Sequence, residues 1–100
     1  MENLMMLVLG LFISIIGIMN IKGNISTIHS YNRRNVQEED IPKYGKVVGI
    51  GTLIIGIALV VSFITTFWSE LIMPFILLPA VIVGLAFMLY GQFKYNKGLF

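Results

Sequence analysis

Three long apolar runs, parted by polar segments, dominate this chain. They are Leu4 to Ile21, Val47 to Trp68 and Leu71 to Tyr90, and none holds a charged residue. At about 1.5 Å per helical residue the first and shortest reaches roughly 27 Å, close to the hydrocarbon thickness of a bilayer. Backbone groups in lipid must find partners within their own segment. Helices achieve this, whereas three lone strands cannot close a barrel. The pattern therefore predicts an all-α fold of three transmembrane helices in one membrane domain. A polar connection covers 22–46 and a tail covers 91–100. Only Ser69 and Glu70 part the second and third runs. Those two helices are expected to form a tight hairpin.

A signal peptide is the competing reading of the first run. It needs a basic start, a shorter apolar core and a small-residue cleavage site. Here the start is Met1-Glu2-Asn3 and the run ends Ile18-Met19-Asn20-Ile21-Lys22. A retained helix is expected.

Composition supports lipid as the solvent. Hydrophobic residues make up 57% of the chain and charged residues 12%, about half the charged share of a soluble domain. With no cysteine, a disulfide framework, a thiolate zinc site and a catalytic thiol are excluded. A net charge of +2 does not point to nucleic acid. The basic residues report topology instead. Lys22, Arg33, Arg34, Lys43 and Lys46 lie in or beside the long connection, and Lys94 and Lys97 lie in the tail. The positive-inside rule makes that side cytoplasmic, so the amino terminus is expected outside and the carboxyl terminus inside. Trp68 should mark the outer interface. Tyr44, Tyr90, Phe93 and Tyr95 should mark the inner one.

Helices in lipid associate where small residues let backbones approach. The second span carries Gly45, Gly49, Thr52 and Gly56 at steps of four, three and four, which place them on one helical stripe. The third carries Ala80, Gly84 and Gly91, and the first Gly10, Ser14 and Gly17. Such stripes serve packing within the chain or contact with another copy or a membrane partner. Pro79 should kink the third helix, and Pro74 lies near its outer start.

Candidate chemistry is sparse. The spans hold no ionisable residue of the kind that marks a proton relay. Serine and threonine there can bond back to their own helix. In the connection, Asn35 and Glu38 have capping-box spacing, and the acids that follow suit a helix amino terminus. A short helix or turn is expected at 35–40. Pro42 suits the first turn of a cytoplasmic extension of the second span. His29 with Glu38, Glu39 and Asp40 is too thin a set for a metal. The acids pair more simply with Arg33 and Arg34. No enzyme, metal or cofactor is expected.

The stretch Ile28-His29-Ser30-Tyr31-Asn32, with Glu38-Glu39, Lys43-Tyr44 and Gly49 beyond it, resembles the first connection of a family of small three-helix membrane proteins from Gram-positive bacteria. That family has no known function and is often placed beside the SdpI-type toxin-immunity proteins. Arg33-Arg34 and Gly45 depart from its pattern. The resemblance implies a multi-pass protein of a bacterial plasma membrane whose connection matters, and nothing catalytic. Tyr31, Asn32, Arg33, Arg34, Glu38, Glu39 and Tyr44 are the candidate interaction residues of that connection. Three functions fit. The first is an accessory or assembly subunit, or a homo-oligomer, acting through the small-residue faces and this connection. The second is immunity to a membrane-active toxin. The third is a small transporter or channel subunit with a pore lined by Ser62, Thr65 and Thr66. Membrane lipids are expected partners in all three.

Overall fold

The computed structural model describes residues 2–25 and 36–96. Helix α1 covers Glu2–Ile21, α2 covers Ile41–Thr65 and α3 covers Met73–Tyr95, with a single 3-10 turn at Glu38–Asp40 leading into α2. All three helices are long and apolar enough to cross a membrane. The chain is a multi-pass membrane protein. The molecule measures 46 × 20 × 18 Å, so its long axis exceeds the ~30 Å hydrocarbon core.

Helix α2 is the centre. Both α1 and α3 pack on it rather than on each other. The helices run antiparallel in sequence. Going up α2, Gly45, Gly49 and Gly56 meet Asn20, Gly17 and Gly10 in turn. On its other flank Val48, Gly51 and Ile55 meet Gly91, Gly84 and again Gly84. One end of the bundle therefore gathers the carboxyl ends of α1 and α3 with the amino end of α2. We call it the loop-side end.

The observed helix bounds differ from the apolar runs. The second span starts at Ile41 rather than Val47 and stops at Thr65 rather than Trp68. The third spans Met73 to Tyr95 rather than Leu71 to Tyr90. Charge-free runs mark what lipid accepts, whereas helices continue into the interface. At the start of α2, Pro42 occupies the first turn, where its missing N–H costs nothing, and the carboxylates of Glu38, Glu39 and Asp40 lie just ahead of the positive helix end. Of the short helix expected at 35–40 only Glu38–Asp40 forms a turn, and Asn35 lies outside the described residues.

The two-residue link is corrected in the same way. Helix α2 unwinds through tighter turns, with Phe67 N–H donating to Ile64 C=O at 3.2 Å and Trp68 N–H to Thr65 C=O at 3.0 Å. Ser69 Oγ accepts from Leu71 N–H at 3.1 Å. Helix α3 then restarts with Pro74 in its first turn. The connection is 66–72, because the last carbonyls of α2 need partners and Pro74 sets where α3 begins.

Candidate functional site: a buried polar cluster at the loop-side end

Helix α1 ends in a way its sequence prescribes. Gly23 adopts φ 99°, the left-handed conformation that glycine tolerates. Gly23 N–H then donates to Asn20 C=O at 2.9 Å, and Asn24 N–H to Met19 C=O at 3.0 Å. This is the Schellman pair of bonds that closes a helix carboxyl end. Asn20, buried near the end of a mostly apolar helix, donates from Nδ2 to Asn24 C=O at 2.9 Å. The turn delivers Ile25 back onto the bundle, where it is buried beside Tyr44 and Val48.

Tyr44 is the hub of this end. Its side chain is fully buried, and its hydroxyl donates to Gln92 Oε1 across the α2–α3 seam. Val36, Ile41, Met88 and Tyr95 close the surrounding apolar shell. Asn96, also fully buried, ends α3 with its N–H on Gln92 C=O at 3.0 Å. Three buried polar side chains, Asn20, Tyr44 and Asn96, thus lie at the loop-side end, one from each helix or its last turn, with Gln92 bonded to Tyr44. Buried polar groups are tolerable only when bonded, and Asn20 and Tyr44 show such bonds.

Tyr44 is consequently not a member of an interfacial aromatic belt, nor an exposed residue of the connection. Tyr90 and Phe93 are exposed near that end, and Trp68 is exposed at the other. Glu38 and Glu39 are exposed on the turn before α2. Tyr31, Asn32, Arg33 and Arg34, with His29, lie outside the described residues.

The small-residue stripes are occupied within the chain. A Cβ at Gly45 would stand 2.5 Å from the Asn20 carbonyl oxygen, and one at Gly49 2.6 Å from that of Gly17. One at Gly56 would meet Ser14 of α1. Thr52, in the same stripe, is half-buried and returns its hydroxyl to Val48 C=O at 2.9 Å. On α3, a Cβ at Gly84 would stand 2.6 Å from Ile55 Cγ1, and one at Gly91 2.9 Å from Val48 Cγ2. Ala80 is half-buried. Sequence reasoning missed Gly51, whose added Cβ would strike the Gly84 carbonyl. The signal was present. Gly49 and Gly51 are two residues apart, so they point to opposite sides of a helix, and a helix with glycine on both sides needs two close neighbours.

Ser62 is fully buried, seven residues on from Ile55 and so on the face turned to α3. The hydroxyls of Thr65 and Thr66 donate to Ser62 C=O at 2.8 Å and Phe63 C=O at 2.6 Å. Among the described residues, the buried Oγ atoms of Ser14 and Ser62 have no partner.

Comparison with protein-family models, with curated proteins and with solved structures finds no match.

Proposed function

We propose that the chain is a non-enzymatic integral membrane protein that engages another membrane protein through its loop-side end. The observation that carries this reading is the Tyr44–Gln92 contact within a buried polar cluster. It ties α2 to α3 at the loop-side end, and the exposed Glu38 and Glu39 stand on the turn that leads into α2. The glycine seams support the same view by a different route. They are filled by the chain's own helices, which leaves the exposed turn before α2 and the outer apolar faces for partners. In this reading the amino terminus lies outside, and the connection and tail lie in the cytoplasm, because every lysine and arginine flanks that side. Helices α2 and α3 form the hairpin. The membrane is a bacterial plasma membrane, on the resemblance of the connection.

The test is native mass analysis of the protein extracted in lipid nanodiscs from its own cell. A second membrane protein in fixed ratio is expected, and the double substitution Glu38→Gln with Glu39→Gln should release it. Emergence as a homo-oligomer with no second protein would overturn the accessory reading.

A further inference from the structure

The face of α3 bordering its seam with α2 combines a cationic group with an open apolar surface. Lys94 is exposed. Its Nζ donates to the Tyr90 hydroxyl oxygen at 2.9 Å and lies 5.4 Å from the Tyr90 ring centre and 5.7 Å from that of Tyr95. These contacts hold a long side chain in one place. They also leave hydrogen-bond donors. An ammonium has three N–H groups, and a phenol that accepts a bond still owns its O–H. Two ammonium N–H groups and one phenolic O–H therefore remain, which is a donor set for an anion. One turn further into the apolar run, Ala86, Phe87 and Tyr90 line a shallow, wide-open apolar groove. Tyr90 belongs to both features, so the polar site and the groove form one strip along α3.

We propose that this strip binds one anionic phospholipid. The phosphate oxygens accept from Lys94 and Tyr90 at interface depth, and an acyl chain lies along Ala86 and Phe87. A soluble phosphate would use the donors but not the groove. A choline headgroup would set a second cation beside Lys94, so a zwitterionic lipid fits less well. The inference rests on α3 crossing the membrane and not on any protein partner.

The test reconstitutes the whole chain in nanodiscs of equal phosphatidylglycerol and phosphatidylcholine and counts the lipids retained by native mass spectrometry. Wild type is expected to retain phosphatidylglycerol about fivefold over phosphatidylcholine, the weight of one basic residue near an anionic surface. Lys94→Gln should bring the two to parity and Lys94→Arg should keep the preference. Lys43→Gln, on another helix, should leave it unchanged. Ala86→Leu should fill the groove and lower retention of both lipids. Equal retention of the two lipids by wild type, or an undiminished preference in Lys94→Gln, would overturn the proposal. Helicity by circular dichroism checks that each variant is folded, and Tyr90→Phe supplies a second route to the same donor set.

Discussion

Tyr44 brings a fully buried hydroxyl into a helix junction, and the half-buried Gln92 receives it. Removing the hydroxyl forfeits this bond, a net loss of about 0.5–1.5 kcal/mol, whereas replacing both partners with apolar groups of similar shape is nearly neutral. Tyr44→Phe is therefore expected to lower stability by about that amount. Tyr44→Phe with Gln92→Leu should recover most of the loss. Unfolding in mixed micelles of rising denaturing-detergent fraction measures both. A double variant no better than the single one would show that the bond is not what holds this end. Gly23 makes a different residue-scale demand. Among the described residues nothing lies within reach of an added Cβ there, so Gly23→Ala tests backbone conformation. A cost of about 1–2 kcal/mol is expected from the left-handed φ.

At the scale of elements, the seams decide what a bulky substitution does. Gly49 faces the Gly17 carbonyl and the Ile21 N–H, which are backbone atoms that cannot turn aside. Gly49→Ile should therefore part α1 from α2 rather than release a partner, with a cost of at least the 1–3 kcal/mol typical of overpacking. Gly51→Ile should part α2 from α3 instead, because its neighbour is Gly84. Limited proteolysis in detergent distinguishes the two, since each variant exposes a different connection. Cleavage near 22–25 is expected for the first and within 66–72 for the second. The same pattern in both would mean that the seams do not act independently. Pro79 adds a further property to α3. It removes one helical bond inside the span, and the carbonyl of Phe75 loses its usual donor.

For the whole molecule, the proposed orientation makes a direct prediction. The chain has no cysteine, so a single introduced thiol reports its own side without background. Ser69→Cys, in the connection between α2 and α3, is expected to react with a membrane-impermeant maleimide added to intact cells. Glu39→Cys, exposed on the turn before α2, is expected to react only after the membrane is opened. The reverse result would invert the topology, and with it the placement of the loop-side end in the cytoplasm.

Three membrane-spanning helices were legible in the sequence because lipid imposes a simple rule on long charge-free runs. Helix ends were legible only where a residue acts locally. Pro42 and Pro74 each mark a terminus by their own backbone constraint, and Gly23, passed over in the sequence, does the same for α1. The true bounds of α2 and α3 were not, because helices continue past the apolar run once the interface supplies partners for their ends. The stripe Gly45, Gly49, Thr52 and Gly56 was visible as a face, yet its occupant was not, since helical periodicity states what shares a side and never what lies opposite. Tertiary structure decided that α1 fills it, that Gly51 opens a second seam for α3, and that α2 is central. It also moved Tyr44 from the membrane interface to the bundle interior. A residue 48 positions away made that change, and no local pattern encodes the meeting of Tyr44 with Gln92. Apolar length and backbone chemistry are properties of a segment, whereas burial and polar pairing are properties of how segments meet.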